Sequence, residues 1–214
     1  MGDKTRALIS ILKMQPVVPV LVIEDLTTAV PLARALVAGG LKAIEITLRT
    51  PAALDAIRLV ADEVDGAVPG AGTVLNPKQY HQAVDAGSQF IVSPGTTIEL
   101  LDVARKSPVP MLPGAATPSE VMSLREEGYE VLKFFPAEQA GGAGYLKSLS
   151  SPLASVQFCP TGGITAANAL DYLSLPNVIC VGGSWVAPKS LVEAGDWDGI
   201  TRLAREACRL TEQG

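Results

Sequence analysis

The run EVLKFFPAE, residues 130–138, carries a lysine in the middle of an otherwise apolar segment. Short runs rich in Val, Leu and Phe and closed by a proline read as strands buried on both sides, where an ammonium is costly to desolvate. Lys133 is therefore either paired with an opposite charge or held without its own. AIEITLRT, residues 43–50, offers a partner, because Glu45, Thr47 and Arg49 are two apart and share one face of a strand, with Ile44, Ile46 and Leu48 on the other. The same alternation puts Lys133 and Phe135 together, opposite Leu132 and Phe134. Beside a cation, and in a partly dry cavity, a lysine gives up its proton more readily, and a neutral amine attacks carbonyl groups. A structural ion pair with Glu45 is the plainer alternative, since buried networks of that kind are often structural. A Schiff-base lysine accounts better for a charge placed in mid-strand.

Two further stretches suit an anion. CPTGGI (159–164) and VGGS (181–184) each end an apolar run with paired glycines, Gly162 with Gly163 and Gly182 with Gly183, and backbone N–H groups can approach a ligand closely there. Thr161 and Ser184 add hydroxyls at the same places. GAGT (70–73) supplies Thr73, which reads either as a hydroxyl on the same rim or as a helix-entry turn residue. Pro94, Pro113 and Pro136 each follow a strand-like run and either stop a ladder or line a wall.

The elements that position these residues repeat. Apolar, β-rich runs begin at Val17, Ala43, Ala67, Phe90, Val109, Val131, Val156 and Val178, roughly 19 to 26 residues apart, and a helical pattern follows each. Eight βα units in one chain predict an α/β protein, a single (β/α)8 TIM barrel over residues 1–214, with MGDKTRALISILKM as an additional N-terminal helix. AGGAG at 140–144 reads as a loop. In such a barrel, chemistry sits at the C-terminal strand ends, and the loops after strands seven and eight are the usual phosphate site. Those are the two loops that hold the paired glycines.

Composition narrows the alternatives. The 48 % hydrophobic content is interrupted every few residues by Gly, Pro or charge, which excludes a long apolar span and predicts no membrane partner. The N-terminal helix lacks the apolar stretch and cleavage site of a signal peptide, so the expected compartment is the cytoplasm. A net charge of −5 with no basic stripe argues against nucleic acid and leaves an anionic small molecule to be held by local groups. Cys159, Cys180 and Cys208 form no CxxC pair and read as thiols; His81, the single histidine, reads as surface decoration, and a His-rich metal site is excluded.

Seven motifs in order, PVVPV, EITLRT, GAGTVLNP, SPG, LKFFPAE, CPTGGI and GGSW, resemble those of the 2-keto-3-deoxy-6-phosphogluconate (KDPG) aldolases, which also act on 4-hydroxy-2-oxoglutarate (KHG). The resemblance spans nearly the whole chain, and the motifs together are specific where one alone is weak. It implies a class I aldolase that reversibly cleaves KDPG to pyruvate and glyceraldehyde 3-phosphate, and KHG to pyruvate and glyoxylate, with no cofactor, no metal and a homotrimeric assembly. By the same resemblance Lys133 forms the Schiff base and Glu45 moves the protons. Arg49 and Thr73 hold the pyruvate carboxylate, Phe135 and Pro94 line the wall, and Thr161, Gly162, Gly163 and Ser184 surround the phosphate end. LPGAATPSE (112–120) departs from the pattern at Ala115 and Ala116, which bears on sugar specificity. A sister group acting on the galactonate epimer shares most motifs; Thr161 resembles the gluconate type more. Outside this chemistry stand a non-catalytic phosphosugar-binding barrel in which Lys133 and Glu45 merely pair, a pyridoxal phosphate barrel, and a metal-dependent aldolase, against which the single histidine counts.

Overall fold

The computed structural model describes residues 2–211. Helix α1 (Asp3–Leu12) precedes β1 (Val17–Leu21), and the chain continues through α2 (Ala29–Ala38), β2 (Ala43–Thr47), α3 (Ala53–Glu63), β3 (Val68–Gly72), α4 (Pro77–Asp85), β4 (Phe90–Val92) and α5 (Ile98–Lys106). It goes on with β5 (Met111–Leu112), β6 (Gly114–Ala115), α6 (Pro118–Glu126), β7 (Val131–Phe134), α7 (Gly142–Leu149), β8 (Gln157–Pro160), α8 (Ala169–Leu173), β9 (Val181–Gly183), α9 (Lys189–Ala194) and α10 (Trp197–Cys208). The fold is α/β. Among the described residues the strands pair in parallel, in a six-stranded curled sheet ordered β5-β4-β3-β2-β1-β9 and a three-stranded sheet ordered β6-β7-β8. Pro113, which has no N–H to give a ladder, separates β5 from β6 within one extended run. Single parallel bridges, Phe158 with Val178 and Thr161 with Gly182, link β8 to the β9 segment.

Side chains alternate along each strand, so the sheets sort the apolar residues into two cores. Val17 and Leu21, Ile44 and Ile46, and Leu132 and Phe134 point toward the helices and pack with residues such as Leu36, Ile57, Tyr80 and Ile200. Val18, Ala43, Phe90, Leu112, Val131 and Cys180 point the other way, into a second cluster that Leu8 and Leu12 of α1 close from below. Lys4 ties α1 in place by donating to the last-turn carbonyls of Ala104 and Arg105 on α5, both at 2.8 Å. Strands buried on both faces explain why the sequence runs are nearly continuous in hydrophobicity.

Local signals set the helix starts. Asn76 and Thr97 cap α4 and α5 through side-chain oxygens, and Thr117 with Glu120 forms a capping box at α6. Three local expectations change. AGGAG is not all loop, because α7 begins at Gly142, directly after the left-handed Gly141; Ala143, packed on the outer core, outweighs the poor helix propensity of glycine. The eighth run pairs as a strand only from Val181. Helix α9, between Pro188 and the left-handed Gly195, was not expected from the sequence pattern.

Candidate active site

Glu45 and Thr47 occupy the inner face of β2, two and four residues above Ala43, and both are buried. Lys133 stands on the inner face of β7, one alternation above Val131, and its Nζ donates to Glu45 Oε1 at 3.1 Å. The residues are 4 % and 3 % exposed, and Nζ lies 5.4 Å from the centroid of the Phe135 ring. Room for this pair comes from missing side chains on the neighbouring strand. A Cβ on Gly72 would collide with the Glu45 carboxylate, and one on Gly70 with the Phe90 ring beneath it. Both glycines of GAGT therefore make space on the inner face.

Arg49 is not on the strand. β2 ends at Thr47, and the Arg49 N–H folds back onto the Thr47 carbonyl at 2.8 Å. That turn still brings the guanidinium beside the strand end, with Nε donating to Thr47 Oγ1 at 3.1 Å while Thr47 Oγ1 donates to the Leu21 carbonyl at 2.8 Å. Arg49 and Ser184 line one open cavity of about 630 Å³, whose outer wall carries Glu24, Glu193 and Lys189. Lys189 bridges the two glutamates at 3.2 and 3.6 Å. Lys133 and Glu45 do not line this cavity; the Arg49–Thr47 link leads from it toward them. A smaller cavity of about 150 Å³ lies at the opposite end, between α1 and α5.

Thr73 has φ +57°, the one positive φ of a non-glycine among the described residues. A β-branched residue held there is strained by roughly 1–3 kcal/mol, a cost characteristic of residues whose side chain is being aimed. Asn76, not Thr73, caps the following helix. Pro94 backbone atoms lie against Gly114, where a Cβ would strike the Pro94 carbonyl. Pro136 follows β7.

The two glycine pairs differ. Gly162 and Gly163 have φ of +105° and +77°, left-handed values that glycine adopts without strain. Gly182 and Gly183 have no such need; a Cβ on Gly182 would strike Thr161 Oγ1, and one on Gly183 the Trp185 indole, so these glycines provide packing room. Thr161 is 7 % exposed, and its Oγ1 is buried with no hydrogen-bond partner among the described residues, an arrangement that leaves a hydroxyl for a ligand or water.

The sequence reading missed the bracing of the Gly162–Gly163 turn. Thr161 O accepts from Ala137 N–H at 2.8 Å, Gly162 O from Glu138 N–H at 3.1 Å, and Gly163 O from Asn168 Nδ2 at 3.2 Å. The Glu138 side chain in turn accepts the Tyr172 hydroxyl hydrogen bond. A Thr165-x-x-Asn168 spacing was visible in the sequence; the Glu138–Tyr172 contact, across 34 residues, left no local signal.

Among the described residues no three His, Cys, Asp or Glu side chains cluster to hold a metal, and no helix is long and apolar enough to cross a membrane. His81 is exposed on α4. Cys159 and Cys180 are buried together; a hydrogen bond with Cys159, then burial, hold the Cys180 thiol well above its ordinary range and keep it inert.

Residues 8–203 match the family model described as KDPG and KHG aldolase. The chain is 53 % identical over 198 residues to the KHG/KDPG aldolase of Escherichia coli, covering 92 % of this chain and 93 % of that protein. It superposes with TM-score 0.92 and 44 % identity on a KDPG aldolase from Legionella pneumophila solved with pyruvate captured as a covalent carbinolamine, over 97 % of this chain and 98 % of that one. A Zymomonas mobilis KDPG aldolase with 3-phosphoglycerate gives TM-score 0.91 and 50 % identity, over 96 % and 97 %. This chain belongs to the KDPG and KHG aldolase family.

Proposed function

We propose that this chain is a class I aldolase that reversibly cleaves KDPG to pyruvate and glyceraldehyde 3-phosphate, and KHG to pyruvate and glyoxylate. The observation that carries the reading is the buried Lys133–Glu45 pair, 3.1 Å apart on the inner faces of β7 and β2. Desolvating two charges rarely stabilises a fold. A pair that exchanges one proton, however, supplies both an amine nucleophile and an acid. The covalent pyruvate of the Legionella relative supports this chemistry.

The proton passes from Lys133 to Glu45, and the free amine attacks the C2 carbonyl to form a carbinolamine. Glu45, now an acid, protonates the departing hydroxyl, and loss of water leaves a protonated imine. Glu45, or a water it holds, then takes the proton of the C4 hydroxyl. The C3–C4 electron pair flows into the imine, the aldehyde leaves, and the enamine is protonated and hydrolysed to pyruvate and Lys133. In this reading Arg49 and strained Thr73 hold the carboxylate, Thr161 Oγ1 meets a substrate hydroxyl, and Phe135 and Pro94 form the wall. The N–H groups of Gly162 and Gly163, with Ser184, hold the phosphate; the Zymomonas relative's phosphorylated ligand supports an anion site in this family. Gly182 and Gly183 act by shaping the floor. Ala115 packs outward beside Phe134, so of the two alanines only Ala116, directly after β6, is assigned to the sugar side, and the gluconate epimer is the preferred substrate.

The two sheets are read as one closed (β/α)8 barrel over a single domain, 1–214, with α1 as its bottom plug. The bridges from β8 to β9 and the continuity of β5 and β6 through Pro113 support closure. The assembly is a homotrimer acting in the cytoplasm. Exposed apolar side chains, Ile98 at 75 % and Met122 and Leu75 at about half, suit a subunit interface. Pyruvate release measured with KDPG, its galactonate epimer, KHG and unphosphorylated 2-keto-3-deoxygluconate tests the reading. KDPG should be cleaved most efficiently and the unphosphorylated sugar at least about 10²-fold less, the scale of a few lost charge-assisted hydrogen bonds. No pyruvate from KDPG would overturn it.

A further inference from the structure

A trans peptide points its C=O and its N–H in opposite directions. The Thr161 and Gly162 carbonyls are both drawn toward the loop after β7, by the N–H groups of Ala137 and Glu138. The N–H groups of Gly162 and Gly163 therefore face away from that loop, toward the side where β9 and Ser184 lie. Three contacts brace the turn, the first through the next peptide along, because the Gly163 carbonyl shares its plane with the Ile164 N–H and fixing it holds the far end of the glycine pair. Asn168 Oδ1 accepts from Thr165 N–H at 2.7 Å, which fixes the amide so that Nδ2 faces Gly163 O. The Glu138 stem lies against Gly163, where a Cβ would come within 2.6 Å of Glu138 Cγ. Tyr172, buried on α8, donates to the Glu138 carboxylate and stops that stem from swinging.

We propose that Asn168 and Tyr172 are positioning residues for phosphate recognition: by bracing the Gly162–Gly163 turn from outside, they set how strongly the enzyme prefers a phosphorylated substrate over the same sugar without phosphate. The proposal rests on the phosphate assignment above. An unbraced glycine pair samples both hands of φ and both peptide orientations, so its donors must be ordered by the ligand at each binding event. The brace removes that cost before the substrate arrives. Burial, then the hydrogen bond to Glu138, raises the Tyr172 phenol well above its ordinary value, so the hydroxyl keeps its proton and remains a donor.

Asn168→Asp keeps the acceptor for Thr165 N–H and replaces the donor at Gly163 O with a second acceptor. Tyr172→Phe keeps the buried ring and removes only the hydroxyl. The measured quantity is the ratio of kcat/KM for KDPG to kcat/KM for 2-keto-3-deoxygluconate, with melting temperature and borohydride trapping of pyruvate recorded on each variant. The ratio should contract about tenfold in Asn168→Asp and about threefold to tenfold in Tyr172→Phe, on the scale of one lost hydrogen bond, while pyruvate is still trapped. A merely structural role lowers the melting temperature and depresses both efficiencies alike; an unchanged ratio in either folded variant overturns the proposal. Should Asn168→Asp fail to fold, Tyr172→Phe decides alone. A wild-type ratio near one would overturn the phosphate assignment itself, and this inference with it, whereas a large wild-type ratio that the variants retain would overturn only the inference.

Discussion

Two layers of the same strands face the interior two residues apart, and they differ in everything but position. The lower layer holds Ala43, Val131, Cys159 and Cys180, closed by Leu8 and Leu12 of α1. The upper layer holds Glu45, Lys133, Thr161 and Gly182 on β2, β7 and the β8 and β9 ends. One step of the strand alternation turns an apolar contact into an ion pair or an unpartnered hydroxyl. The lower layer, with no charge to satisfy and its two thiols paired with each other, contributes stability, and the upper layer consumes part of it by burying an amine and a carboxylate. Damage above should therefore stop chemistry in a folded molecule, and damage below should unfold a molecule whose chemistry is intact.

The largest expected effect lies in the upper layer. Lys133→Ala should reduce turnover by about three orders of magnitude or more, with an unchanged circular dichroism spectrum, because the buried amine that forms the imine is gone. Glu45→Gln preserves shape and a hydrogen bond to Lys133 but moves no proton. It should slow turnover by roughly 10²- to 10⁴-fold, and a rate near wild type would assign the proton steps to another group.

In the lower layer the same logic runs the other way. Leu12→Ala, at a fully buried position beneath the strands, should cost about 2–5 kcal/mol in urea unfolding and leave kcat per folded molecule unchanged. A large fall in kcat at full folding would erase the distinction between the layers. The smallest effect belongs to neither. Glu120 accepts from the backbone N–H of Ala116 and Thr117 at 2.8 and 2.9 Å, and the Ala116 bond foremost holds its carboxyl below the usual range. A depressed folded value means the contribution is present above the unfolded pKa and is lost as pH falls through the folded one. Glu120→Ala should lower stability by about 0.5–1 kcal/mol at pH 7, a value typical of an exposed cap, and the gap to wild type should close in acid below the ordinary carboxylate pKa.

Much of this division was legible in the sequence because it follows from period. Two-residue spacing in AIEIT and VLKF identifies which side chains share a face, and the regular βα succession identifies which strand ends share a rim. Glu45 meeting Lys133 follows from those two facts. What period does not carry is what happens once a strand stops. Arg49 lies beyond β2 in a turn whose direction is set by a backbone hydrogen bond, and only the folded chain shows its guanidinium on Thr47. A glycine announces that space or a left-handed φ is needed without saying which, so Gly163 and Gly183 look alike in sequence while one turns the chain and the other admits Trp185. The strain at Thr73 was hidden for the same reason, and α9 was obscured because its six residues are too few for a period to register.

The central claim is that the buried amine of the upper layer is the one that bonds to substrate. Treating the protein with pyruvate and borohydride, followed by peptide mass spectrometry, tests it directly, since reduction fixes any imine as a stable amine where it formed. The account predicts a single modified lysine, Lys133, and activity lost in proportion to the modification. Label on Lys13 or Lys147 in its place, or none at all in an active enzyme, would contradict it.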